Sequence, residues 1–357
     1  MPTAVCSTRR AERPDMKLLL RADASSAIGT GHVMRSLALA QAWSERGGEA
    51  LFATAVCTPA LVERLGAEGL EQHALQVRPG SAEDARATIR LARRHGARWV
   101  ALDGYHFGPT FQADLRAAGL RVLLFDDEAR AATYEADLLL NQNLHATPRD
   151  YDRRSGAARL LLGSQYALLR REFRRTEPVW REPLARARRL LVTLGGADPG
   201  NATERVLRAL ARLRIPQLEV LCLAGAANPH HESLLRLAQP PRMRVERSTE
   251  DMPACMAWAD LAISAAGTTS WELCYMGLPT ITLVLADNQA RIAASLAERG
   301  VVLSLGRAED IGAGALERTI GEAVEDQQLR RTLARQARAL VDGRGAERVV
   351  AALQEAA

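Results

Sequence analysis

The chain has 357 residues, enough for two domains with substantial cores, and carries 47 basic against 42 acidic side chains, a formal net charge of +5. Lys17 is its one lysine, and the arginines are scattered through helical segments without aromatic platforms or basic tracts, so the pI near 9.2 does not point to a nucleic-acid partner. No apolar stretch approaches the roughly 18–20 residues that span a bilayer, which excludes stable membrane insertion as an expectation. The cysteines Cys6, Cys57, Cys222, Cys255 and Cys274 are odd in number, widely spaced and without zinc-ligand spacing. They fit reduced thiols in a cytoplasm, with no metal and no cofactor expected. Residues 1–15 are charged and have no apolar h-region, so they read as a disordered extension rather than a secretory signal, with Met16 an alternative start.

In chain order, strand-like runs at residues 17–22, 49–54, 99–103, 121–126 and 137–140 alternate with helical periodicity at 33–46, 59–68, 82–95 and 109–118. This alternation predicts a parallel sheet covered on both faces, in an N-terminal domain over residues 16–174. The Pro-containing, mixed-charge segment 174–188 reads as a linker. A second series follows, with strands near 189–194, 217–223, 242–246, 260–264 and 279–284 and helices near 201–213, 231–238, 269–276 and 289–299. It predicts a C-terminal domain over 189–345 and a terminal helix over 346–357, the helical portion from about 313 to 355 packing across both domains. The fold class expected is α/β, with two Rossmann-like, doubly wound domains whose strand ends face a common cleft.

The stretch Arg21-Ala-Asp-Ala-Ser-Ser-Ala-Ile-Gly-Thr-Gly-His-Val-Met-Arg35 lies between the first strand and the first helix, at the sheet end where open α/β folds bind ligands. Gly29 and Gly31 allow close backbone approach, the helix start favours an anion, and His32 stands beside it able to move a proton near neutral pH. Leu194-Gly-Gly-Ala-Asp-Pro-Gly-Asn-Ala-Thr203 repeats this pattern: Gly195 and Gly196 precede a helix that could hold a phosphate, capped by Asn201 or Thr203. In Ile263-Ser-Ala-Ala-Gly-Thr-Thr-Ser-Trp-Glu272, Gly267 opens the backbone and Thr268, Thr269 and Ser270 offer hydroxyl and amide donors. Glu272 follows in the first turn, where a carboxylate can accept from a ribose diol. Asp287, Asn288 and Gln289, after the next strand, supply donors and acceptors for sugar or amide groups, or cap their own helix.

Taken together in this order, the motifs resemble those of the UDP-2,4-diacetamido-2,4,6-trideoxy-β-L-altropyranose hydrolases of pseudaminic acid biosynthesis, relatives of the two-domain GT-B glycosyltransferases. The resemblance runs from about residue 16 to 300. It rests on Arg21-Ala-Asp with Gly29-Thr-Gly-His-Val-Met-Arg35, Asp103-Gly-Tyr105, Phe125-Asp-Asp127, Asn141-Gln-Asn143, Gly163-Ser-Gln-Tyr-Ala-Leu-Leu-Arg170, Leu194-Gly-Gly-Ala-Asp-Pro199, Ala266-Gly-Thr-Thr-Ser-Trp-Glu272 and Asp287-Asn-Gln289. It implies a GT-B fold and hydrolysis of a UDP-linked diacetamido trideoxy sugar to UDP and free sugar, by water attack at C1 with inversion. It implies His32 as the catalytic residue, Glu272 on the ribose, and Asn288 and Gln289 near the diphosphate and sugar. Substrate binding by Arg35, Tyr105, Asn143 and Tyr166 follows from the same motifs. Asn141 departs from the aspartate expected there, which leaves it a hydrogen-bonding role.

In this scheme His32 takes a proton from the attacking water, Asp23 or Asp103 orients the imidazole or binds substrate amides, and helix-start amides near Thr268–Ser270 stabilise the departing phosphate. Two alternatives share these residues: a GT-B transferase, in which an acceptor hydroxyl replaces water, and a non-catalytic nucleotide-sugar binding protein. Oligomeric state, exact sugar stereochemistry and the polymer or flagellin that receives the product are left open.

Overall fold

Strands that are apolar on both faces, rather than alternating, belong in parallel sheets with helices on either side. The computed structural model describes residues 16–25, 28–152, 154, 156–249, 251–312 and 314–356, so the extension expected over 1–15 lies outside the described residues. The first half runs β1 (Lys17–Ala22), α1 (Gly31–Glu45), β2 (Glu49–Thr54), α2 (Pro59–Ala67), β3 (Glu71–Ala74), α3 (Ala82–His95), β4 (Trp99–Asp103), α4 (Pro109–Ala117), β5 (Arg121–Phe125), β6 (Leu138–Asn141), β7 (Arg159–Leu162) and α5 (Arg171–Arg174). The second half runs β8 (Arg189–Thr193), α6 (Ala202–Leu213), β9 (Glu219–Leu223), α7 (His231–Leu235), β10 (Met243–Glu246), α8 (Met252–Trp258), β11 (Leu261–Ala265), α9 (Thr269–Met276), β12 (Thr280–Val284), α10 (Asp287–Glu298), β13 (Val302–Arg307), α11 (Ala315–Glu325), α12 (Gln327–Arg338) and α13 (Gly345–Glu355).

The strands form two wholly parallel sheets, ordered β3-β2-β1-β4-β5-β6-β7 and β10-β9-β8-β11-β12-β13. In each sheet the strand order reverses beside its first strand, between β1 and β4 and between β8 and β11. Connections leave in opposite directions there and open a crevice at the carboxyl ends of the strands. The loops holding Gly29–His32, Asp103, Gly195–Gly196 and Gly267 all leave from these four strands. The doubly wound α/β architecture read from the sequence is therefore the one observed. Strands β3, β7 and β13 are additional to those read from it: β3, Glu-Gln-His-Ala, is half covered and carries no apolar run, whereas β7 (Arg-Leu-Leu-Leu) and β13 (Val-Leu-Ser-Leu-Gly-Arg) are short runs at the sheet edges.

The chain ends on the domain with which it began. Helices α11 and α12 pack on α6 and α9 of the second domain, whereas α13 lies against α1. Val349, Val350 and Leu353 of α13 are buried with Val33, Leu37 and Ala40 of α1 and Leu18 and Leu20 of β1. The segment after residue 313 thus straps the two halves together. Truncating Leu353 to Ala should cost about 2–5 kcal/mol, the usual range for emptying a fully buried leucine site. Urea unfolding monitored by circular dichroism measures this, and a loss under about 1 kcal/mol would show that α13 is peripheral to the first core.

Candidate active site

At the crevice of the first sheet, α1 turns two side chains onto the end of β4. His32 and Arg35, three residues apart, lie on the same side of the helix. His32 Nδ1 lies 2.6 Å from Asp103 Oδ1. Arg35 donates to both Asp103 oxygens, at 2.7 and 2.6 Å, and to both oxygens of Asp127 beyond β5, at 2.7 and 3.0 Å. All four side chains are buried. A carboxylate can only accept, so Nδ1 carries the imidazole proton and Nε2 is left as the basic nitrogen. Burial works to raise the pKa of Asp103 and of Asp127, but in both the opposing pull of Arg35 and His32 outweighs it and holds the carboxyl below its usual range.

Asp127 was not singled out from the sequence, where only its place after a strand in Phe125-Asp-Asp127 hinted at it. It accepts from Arg35, from Tyr105 Oη at 3.0 Å and from Asn143 Nδ2 at 3.0 Å. Burial and the adjacent Asp127 charge push the Tyr105 phenol well above its ordinary pKa, so it acts as a neutral donor. Tyr105 Oη also accepts from Asn288 Nδ2 of α10 at 2.8 Å and its ring meets His32 edge-on, which ties the second domain to the imidazole. Asn141 holds Tyr151 Oη and the Asn143 amide, a hydrogen-bonding role in keeping with its lack of charge.

Asp23 does not orient His32. Its Oδ1 accepts the Ala55 and Val56 amides at 2.7 and 2.9 Å and pairs with buried Arg21, and its Oδ2 faces His106. Of the two aspartates considered for the imidazole, Asp103 takes that position because β4 ends directly beneath α1, while Asp23 bends the chain toward β2.

The second domain forms the opposite wall. Gly195 has φ of +92° and Gly196 packs so closely under Thr30 that a Cβ there would clash with the Thr30 side chain. The cap expected at Asn201 or Thr203 is replaced: Asp198 accepts the Ala202 and Thr203 amides, so a carboxylate already occupies the start of α6. The N-termini of α1 and α9 have no side-chain cap. They meet across the cleft, where a Cβ on Gly31 would stand 3.5 Å from Thr268 Oγ1. Two helix starts converging in this way concentrate positive potential between them. Glu272, in the first turn of α9, accepts from Arg170 Nε at 2.9 Å, an arginine the sequence reading had not assigned. Gln289 Oε1 accepts the Leu285 amide, while Asp287 pairs with Arg307 rather than capping α10.

Between the walls lies a cleft of about 840 Å³. Gly29, Gly31, His32, Arg35, Tyr105 and Asn143 line it from the first domain. Gly195, Gly196, Gly267, Thr268, Thr269, Glu272, Asn288 and Gln289 line it from the second. A smaller cavity of about 300 Å³ adjoins it and is bounded by Asp23, His32, Asp103, Tyr105 and His106. Two residues expected to bind substrate stand outside both. Ser270 is buried with its amide bonded to the Gly267 carbonyl, and Tyr166 packs against the first core where Gly345 of α13 closes over its backbone.

Two facing Rossmann-like domains with catalytic-type side chains at both switch points define a GT-B protein. The family described as Glycosyltransferase family 28 C-terminal domain matches residues 190–348. The spore coat polysaccharide biosynthesis protein SpsG of Bacillus subtilis is 28% identical over 66% of this chain and 69% of its own length. The UDP-2,4-diacetamido-2,4,6-trideoxy-β-L-altropyranose hydrolase of Campylobacter jejuni is 25% identical over 80% of this chain and 97% of its own. The structure of Acinetobacter baumannii MurG superposes with a TM-score of 0.67 at 20% identity, covering 96% of this chain and all of that one. The chain therefore has a GT-B fold, and the proteins it resembles in sequence include an altropyranose hydrolase and a spore coat polysaccharide biosynthesis protein. No helix among the described residues is long and apolar enough to cross a membrane.

The Arg35–Asp127 pairing carries a pH signature. The native Asp127 pKa lies below the unfolded value of about 3.9, so its contribution to stability is complete above that pH and fades as pH falls through the native value. Asp127→Asn should therefore cost about 1–3 kcal/mol at pH 7, with the gap to wild type narrowing as the pH drops from about 4 toward 2. Urea melts of both proteins across that range measure it, and a gap that widens on acidification contradicts the assignment.

Proposed function

We propose that this chain is a UDP-sugar hydrolase of the cytoplasm that cleaves UDP-2,4-diacetamido-2,4,6-trideoxy-β-L-altropyranose to UDP and the free sugar, in pseudaminic acid biosynthesis. The observation that carries the reading is the His32–Asp103–Arg35 unit on one wall of a cleft whose other wall bears the uncapped start of α9 and Glu272. In this reading the diphosphate lies at the paired helix starts, where amide donors and the dipoles of α1 and α9 stabilise the charge that grows on the leaving UDP. Glu272, held by Arg170, accepts from the ribose hydroxyls. The sugar then projects toward the first domain, with C1 near His32.

His32 Nε2 removes a proton from water as the oxygen attacks C1, the C1–O bond breaks, and the electron pair leaves with UDP. The proton is held on the imidazole, whose new positive charge faces the Asp103 carboxylate; Arg35, itself held in place by Asp127, keeps that carboxylate ionised and fixed. Tyr105, which donates its one hydroxyl proton to Asp127 and accepts from Asn288, keeps a second lone pair to accept from an amide N–H or hydroxyl of the sugar. Attack opposite the leaving group inverts the anomeric centre.

The match to a glycosyltransferase domain over 190–348 supports a second reading, in which His32 deprotonates an acceptor hydroxyl instead of water. Incubation of the full chain with a panel of UDP-diacetamido sugars, followed by NMR of UDP and of the product anomer, separates the two. Release of UDP with an inverted free sugar in the absence of acceptor is expected, and release only after an acceptor is added overturns the hydrolase assignment. His32→Asn should bind UDP as wild type does but turn over about 10²–10⁴-fold more slowly. Wild-type turnover in that variant removes His32 as the base.

A further inference from the structure

The first domain holds a second cluster of ionisable side chains that the cleft does not use. Glu71 and His73 are two residues apart on β3 and therefore share one face of that edge strand. Their ladder partners, Leu51 and Ala53, lie in the core beneath α3, and the last residue of α3, His95, closes over the same face. His73 Nε2 lies 2.9 Å from Glu71 Oε1, and the two imidazole rings meet edge to face with centroids 4.8 Å apart. One ligand atom from each of the three residues lies within 4.8 Å of the others.

The helix C-terminus accounts for a basic residue at His95. It does not account for the Nε2 atoms of His73 and His95, both shut off from solvent without a hydrogen-bond partner. The contact of His73 with Glu71 is close in distance but lacks hydrogen-bond geometry, and buried polar atoms left in that condition are costly. Two imidazole nitrogens and one carboxylate are a donor set suited to Zn²⁺, at bond lengths of about 2.0–2.2 Å. Ligand atoms around such an ion stand about 3.3–3.6 Å apart, so on binding the 2.9 Å Glu71–His73 pair opens slightly and the spacing to His95 closes.

We propose that Glu71, His73 and His95 bind one Zn²⁺, with water as the fourth ligand, and that the ion clamps β3 to the last turn of α3. Helices of a parallel sheet run opposite to its strands, so this turn lies at the sheet end away from the cleft, and none of the three residues lines either cavity. The role is structural: it secures an edge strand whose sequence, Glu-Gln-His-Ala, contributes little apolar burial.

The test is titration of the chelator-treated full chain with Zn²⁺ in competition with a chromophoric chelator, together with thermal melts. One Zn²⁺ per chain and a raised melting temperature are expected. His73→Gln, His95→Gln and the exposed Glu71→Gln should each weaken binding by at least ~10–100-fold, the range already seen when only an outer-shell partner is lost. Far-UV circular dichroism confirms that the variants are folded, and Glu71→Gln, which leaves the imidazoles intact, covers the case in which a histidine variant is not. Unchanged Zn²⁺ affinity in the His73→Gln/His95→Gln double variant, no Zn²⁺ binding by the wild type, or equal stabilisation by Mg²⁺ would each overturn the proposal.

Discussion

Arg35 is held between two buried carboxylates, Asp103 at the end of β4 and Asp127 beyond β5, and the rest of the site is arranged around that bridge. Taking three charges out of water is costly, and the arrangement persists because the planar guanidinium donates to both oxygens of each aspartate. The consequence is geometric. Two strands and a helix are locked at one point, and the aspartate oxygen that remains close to α1 fixes the tautomer of His32. Arg35→Lys could supply the charge but not two forked pairs, so Arg at this position is demanded by the geometry rather than by the charge alone.

The same bridge links the two domains. Asp127 accepts the Tyr105 hydroxyl, and Tyr105 in turn accepts from Asn288 on α10, so a chain of three hydrogen bonds runs from Arg35 to the helix that follows β12. Arg291, one turn further along α10, donates to the Glu128 carbonyl in the same loop. Closing the cleft and ordering the imidazole are thus parts of one network. The strap formed by α13 on α1 holds the domains together on the other side.

Much of this was legible in the sequence, and the reasons differ by element. Fully buried parallel strands such as Leu-Leu-Leu in β1 announce themselves as apolar runs, and the glycine-rich loops that follow β1, β8 and β11 mark the switch points directly. Edge strand β3 gave no such signal, and β7, although it carries Leu160-Leu161-Leu162, lies where no α-helix separates the strands and so falls outside the alternation. Capping was read less well: Asp198 displaced Asn201 and Thr203 at α6 because the Asp-Pro-Gly turn brings its carboxylate under the helix, a consequence of local loop geometry that spacing does not reveal. Tyr166 was drawn out of the site by α13, almost 180 residues later in the chain. Asp127 and Arg170 stand in the motifs but were given no role there, because their roles depend on partners, Arg35 and Glu272, that lie about a hundred residues away.

In the proposed function this cleft directs water at the anomeric carbon of a UDP-linked sugar rather than at phosphorus. A single-turnover reaction in H₂¹⁸O, with the UDP product analysed by mass spectrometry, tests it directly. Attack at C1 leaves every UDP oxygen unlabelled and places the heavy atom on the sugar. Incorporation of ¹⁸O into UDP would mean cleavage of a P–O bond, and would contradict the assignment of His32 as the base for attack at carbon.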